Sequence, residues 1–172
     1  LGNVVSVTLP DGKVEKFTAE AYPKCTQGVA TLDVEIRFVP QPGTQGRLDA
    51  LSGHHGRLIN QALADPGDPA RPLDPDNYRY IDADGLEYTI EQGFGLRQLH
   101  ERAGGNTVTF GHDGILHSTG ASVTFERDAL DRITAIHAPD GSIRRYEYAN
   151  GDLVASLDAE DHRTDYTYLA NP

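Results

Sequence analysis

The sequence has no methionine, no tryptophan and a single cysteine among its 172 residues. One cysteine cannot close an internal disulfide, which excludes a disulfide scaffold and a cysteine-based zinc cage. Uninterrupted apolar runs are only a few residues long, so no segment is expected to insert in a membrane. Cations are scarce: 15 Lys and Arg stand against 26 Asp and Glu, a formal net charge of -11. Such a chain has no electrostatic means of holding a phosphate backbone, which argues against nucleic acid as a partner. A translated chain starts with methionine, whereas this one starts Leu1-Gly2-Asn3 with no charged and apolar leader. It reads as a processed product or as a piece of something longer.

What is abundant is turn chemistry. There are 18 Gly and 10 Pro, and Asp outnumbers Glu roughly two to one. Asp disfavours helix and strand interiors but favours turns. The expected fold class is therefore all-β, built from short antiparallel strands. The apolar fraction of 38% is low but sufficient for a core, with eight Tyr and five Phe as its larger pieces.

Candidate hairpin turns are Asp11-Gly12, Asp84-Gly85, Asp113-Gly114, Asp140-Gly141 and Asn150-Gly151. Val5, Val7 and Leu9 alternate with polar residues before the first, and Val14-Glu15-Lys16-Phe17 returns after it. Residues 1–18 thus predict a hairpin. Residues 29–39 predict the clearest strand, with Leu32, Val34, Ile36 and Phe38 on one face and Asp33, Glu35 and Arg37 on the other. Arg57 to Ala64 reads as a short helix stopped by Asp65-Pro66-Gly67. Residues 65–77 read as a linker or long surface loop. The expected organisation is a β-hairpin region over 1–77 and a repeat array over 78–172.

The array rests on aromatic or aliphatic pairs two apart: Tyr88/Ile90, Val108/Phe110, Val123/Phe125, Tyr146/Tyr148 and Tyr166/Tyr168. Their second members give a period of roughly 20 residues, with a shortened copy between Phe110 and Phe125. Each pair follows a turn, and most lead into a second turn and an apolar strand. One repeat is then two short antiparallel strands, which must stack on its neighbours to make a continuous sheet. The pairs share one face, so the aromatics of successive repeats are expected to form a cross-strand stripe.

Residues Phe125 to Tyr168 resemble tandem YD repeats of the RHS (rearrangement hot spot) type. Tyr146-Glu-Tyr148-Ala-Asn-Gly151-Asp-Leu153 resembles the unit Tyr-x-Tyr-Asp-x-x-Gly-Arg-Leu, with Ala149 and Asp152 departing from it and one spacer residue fewer before Gly151. Ala138-Pro139-Asp140-Gly141 follows the inter-strand turn. The resemblance covers about residues 80–172. It implies a curved open sheet, a segment of a large β-shell that encloses or presents a C-terminal toxin or effector passenger. The implied partners are further repeats and the passenger, within a secreted or cell-surface bacterial protein. The self-cleaving Asp-rich segment of toxin members is not found here. The residues expected to carry the repeat are Tyr88, Phe110, Phe125, Gly141, Tyr146, Tyr148, Gly151, Tyr166 and Tyr168, all structural.

No catalytic, cofactor-binding or metal residues are expected. Asp49, Ser52, His54 and His55 are the nearest thing to a catalytic cluster, but neither metalloprotease nor nucleophile-elbow spacing accompanies them. His100, His112, His117, His137 and His162 read as surface residues. Asp82, Asp84, Glu87 and Glu91 resemble part of a calcium loop but run into strand sequence. Cys25 has no base or second cysteine beside it. The alternative function is a cell-surface recognition module that binds glycans or a partner protein through exposed aromatics and acidic loops. A hydrolase using His54 and His55 is the third reading.

Overall fold

The structure, a computed structural model, describes residues 4–23, 31–59 and 62–169. Cys25 and the first two residues of the predicted 29–39 strand lie outside them. Among the described residues every regular element is a β-strand. The fold is all-β and its sheets are antiparallel. The chain forms two compact units, Leu1–Gly105 and Asn106–Pro172.

In the first unit, β1 (Val4–Thr8), β2 (Val14–Tyr22) and β3 (Thr31–Pro40) pair in succession. After β4 (Arg47–Ala50) come β5 (His55–Ile59) and β6 (Ala62–Ala64), which continue the sheet in the order β1-β2-β3-β5-β6. Strand β4 instead pairs with β7 (Asn77–Ile81), which pairs with β8 (Leu86–Glu91) and then β9 (Gly95–Glu101). The segment between β6 and β7 carries no strand beyond a single bridge from Ala64 to Pro72.

Period-two patterning puts Phe17 inward opposite Val5. Phe17, Leu48 and Tyr80 are buried together, with Val7, Phe38, Tyr78 and Tyr88 packed round them. Phe17 meets Tyr80 edge-on with ring centroids 6.2 Å apart, and Phe38 meets Tyr78 in the same way at 5.8 Å. A second cluster joins Ala21, Val34 and Leu58, with Leu32 and Leu63 against it. The inward face of the predicted third strand is therefore the observed one.

The helix expected at Arg57–Ala64 is not formed. That segment is β5 and β6, with Arg57 opposite Ala64 and Leu58 opposite Leu63. The apolar residues are too few to separate a period of 3.6 from one of 2. Pairing with β3 decides it, because Leu58 opposite Leu32 reaches the core only as a strand. Gly56 permits this close approach: a Cβ there would press on the Leu73 and Leu63 side chains.

The second unit is a meander of β10 (Thr107–Gly111), β11 (Gly114–His117), β12 (Ser122–Arg127), β13 (Ile133–His137), β14 (Ile143–Ala149), β15 (Asp152–Leu157) and β16 (Arg163–Asp165). Each strand pairs antiparallel with the next. Bulges interrupt the register at Glu126/Arg127 and Glu147/Tyr148. Among its described residues the buried apolar side chains are Ala135, 5% exposed, and Ala155, fully covered. Among these described residues no buried apolar side chain is larger than alanine, so the strands of this unit enclose no core of large side chains.

Candidate functional site

One five-residue turn recurs along the chain. In it the first residue's N–H donates to the fifth residue's carbonyl, and the fourth residue's N–H donates back to the first residue's carbonyl. It occupies 9–13, 82–86, 117–121, 128–132, 138–142 and 158–162. The fourth position has positive φ in all six: Gly12, Gly85, Gly120, Asp131, Gly141 and Asp161. Asp82, Asp128 and Asp158 occupy the first position, and their carboxylates accept from the third and fifth N–H groups of their own turns. Asp11 and Asp140 sit at the third position and cap the fifth N–H. Five aspartates thus serve this turn as caps. In Asp158 the bond from the His162 N–H favours the ionised carboxylate and holds it below the usual aspartate range. Arg132, whose side chain also donates to Asp128, holds Asp128 below the usual aspartate range, and Ser142 does the same for Asp140. Gly141 has φ of 86° and open space around it. Gly141→Ala is therefore expected to cost about 1 kcal/mol through backbone strain alone, to be read by chemical denaturation.

Two tyrosines repeat one contact. Tyr148 Oη donates to the Ile133 carbonyl at 2.9 Å, and Tyr168 Oη to the Leu153 carbonyl at 2.8 Å. Both reach back 15 residues in sequence. Their acceptors lie at the beginnings of β13 and β15, one full repeat apart. The other expected repeat residues are placed as follows. Tyr88 faces Tyr80 with ring centroids 5.5 Å apart. Phe110 stands opposite Ile115, Phe125 opposite Ile136 and Tyr146 opposite Ser156. Tyr166 Oη shares a hydrogen bond with Ser156 Oγ, and Gly151 completes a two-residue turn with Asn150. The expected aromatic stripe is therefore different in the second unit. A repeat holds two strands, so each of Phe110, Phe125 and Tyr148 meets an aliphatic partner across the ladder.

The strongest electrostatic feature was not among the expected residues. Glu15 is 1% exposed, on the inward face of β2 opposite Val7. Its carboxylate accepts from Lys13 Nζ at 2.8 Å, Gln45 N at 3.1 Å, Gly46 N at 2.9 Å and Tyr80 Oη at 2.8 Å. Burial pushes this carboxyl up, but the four donors outweigh it and bring it down to about 2. Burial and the Glu15 contact in turn raise Tyr80. Glu15 thereby fastens the β1–β2 hairpin to the segment entering β4 and to β7. Two signals in the sequence point to it. Phe17 inward requires Glu15 inward, and Tyr78-Arg-Tyr80-Ile-Asp82-Ala-Asp84-Gly85-Leu86 has the same two-apart tyrosines and turn as the later repeats.

The histidines form no relay. The rings of His54 and His55 lie 4.2 Å apart, while Ser52 Oγ donates to Asp76 and Asp49 pairs with Arg47 and Arg79. Asp82 spends its carboxylate on its own turn and on Tyr88 Oη. Asp158, Glu160 and His162 approach one another on an exposed turn that the capping bonds already explain. His112 sits between Asp113 and Asp131, 2.7 Å from each. Hydrogen bonding to Asp113, then to Asp131, raises it above the ordinary histidine value of 6.5. The stabilisation this pairing gives is complete below pH 6.5 and fades as pH rises through the raised value. An NMR titration is expected to place the His112 midpoint above 6.5, and Asp113→Asn to lower it.

The described arrangement can brace strands, fix register and present polar turns. No family model matches the sequence, and no curated protein matches it.

Proposed function

We propose that this chain is a non-enzymatic structural module, a segment of a large β-shell of the RHS/YD type that encloses or presents a C-terminal toxin or effector passenger. The observation that carries this reading is the repeated tyrosine contact, Tyr148 to Ile133 and Tyr168 to Leu153, with its identical reach along the chain. The contact recurs in the two repeats whose pair ends in tyrosine, as expected of a quasi-one-dimensional array. The lack of large buried apolar side chains among the described residues of the second unit supports it as well, since stacked repeats bury little per strand until neighbours or contents cover them. Its place would be a secreted or cell-surface protein, with the rest of the same polypeptide as the principal partner.

The coding sequence on either side of this segment tests the reading. Further two-apart tyrosines with Asp/Asn-Gly turns, at a period of about 20 residues, are expected next to Pro172. Flanks that encode unrelated globular domains would overturn it. A second reading, recognition of glycans, draws on the exposed Tyr168 ring and on Phe94 beneath Arg97. Saturable neutral-glycan binding on an array, lost in Phe94→Ala, is the outcome that would favour recognition over the shell.

A further inference from the structure

The first unit has a cleft of about 750 Å³ between β3, β4 and β7. Arg37, Arg47, Arg79 and His54 line it, along with Glu35 and Asp49. Three arginines against two carboxylates leave one uncompensated cation, in a chain whose overall charge is strongly negative. Half-buried Phe38 and Ala50 supply an apolar wall.

Two of the three arginines are engaged, Arg37 also lying over the Tyr22 ring at 3.7 Å, and the third is not. Arg37 is paired with Glu35 at 3.2 Å and Arg47 with Asp49 at 2.8 Å. Arg79 has only a long contact from Nη2 to Asp49, 3.3 Å, and its Nε is shut off from solvent with no acceptor among the described residues. His54 Nδ1 is likewise buried without a partner among them. A guanidinium N–H always donates and is costly to leave unpaired, so two orphaned nitrogens on residues of one cleft point to an occupant.

We infer that this cleft binds an organic monocarboxylate, its carboxylate on Arg79 beside His54 and its apolar body against Phe38. One uncompensated cation matches one negative charge. Glu35 and Asp49 repel a doubly charged phosphate. The planar guanidinium suits a carboxylate in two-point contact, and the volume exceeds what an inorganic ion fills.

The test is a titration of the ¹⁵N-labelled chain with benzoate, following the Arg79 Nε–Hε and His54 ring resonances. Acetate and inorganic phosphate are run in parallel. Saturable displacement of both resonances by benzoate is expected, with acetate and phosphate each binding at least several-fold more weakly. Arg79→Lys keeps the charge but removes the fork, and should weaken benzoate binding about tenfold or more. The titration of the unaltered chain decides the matter even if that variant folds poorly, and His54→Ala supplies a second variant. Absence of saturable displacement, preference for phosphate, or undiminished affinity in Arg79→Lys would overturn the inference.

Discussion

Replacing Glu15 with alanine is expected to destabilise the protein by about 3–5 kcal/mol, because three donors at this buried site lose their acceptor at about 1–3 kcal/mol each. The substitution strands the Gln45 and Gly46 N–H groups and the Tyr80 hydroxyl, and opens a void beside Val7. Against a typical total of about 5–15 kcal/mol, that leaves the first unit marginal. Tyr80→Phe removes one donor and should cost about 1–2 kcal/mol. The same carboxylate sets an acid limit. Its folded value, about 2, lies below the ordinary 4.5. The stability it contributes is therefore present above pH 4.5 and is lost as pH falls from there toward 2. The amount is about 3 kcal/mol by linkage. Urea denaturation at pH 7, 4 and 3 checks both points: the unaltered chain should weaken steeply across that window, and Glu15→Ala should lose this part of the slope.

The second large effect is expected at Gly114. Its φ is 149°, and a Cβ there would drive into the Val123 backbone carbonyl of the neighbouring strand. A backbone atom cannot rotate aside as a side chain can. Gly114→Ala is expected to cost about 2–4 kcal/mol through strain and loss of the β11–β12 pairing. Denaturation midpoints measure the cost, and backbone amide shifts confined to 111–126 locate it. By contrast a Cβ at Gly141 meets nothing, which separates close approach from φ alone as the role of a glycine.

That contrast also marks what the sequence made legible. Asp113-Gly114 has the same letters as Asp140-Gly141, yet its glycine begins a strand instead of holding the fourth place of the recurrent turn. Dipeptide chemistry reports local φ preference and is blind to β12, the strand that closes on Gly114 from further along the chain. The β1–β2 hairpin and the inward face of β3 were readable because period-two alternation is local. The β5–β6 hairpin was not, because the partner that fixes it as strand is β3, beyond the whole of β4 in the chain. Glu15 was legible in its inward position but not in its role, for a related reason. A charge on an apolar face is interpretable only when its donors are known, and Tyr80 lies 65 residues away in sequence. The Asp-rich turns were legible in kind, but their common hydrogen-bond pattern emerged only in the fold.

If residues 106–172 are a stretch of array, their sheet relies on neighbouring repeats or on a passenger for cover. Residue-resolved amide hydrogen exchange on the monomeric chain tests this most directly. Firm protection is expected in β2, β3 and β7 around the Phe17–Tyr80 core, weaker protection through β10–β15, and the least at the short edge strand β16. Protection of β14–β16 equal to that of β2 and β3 would contradict the shell reading.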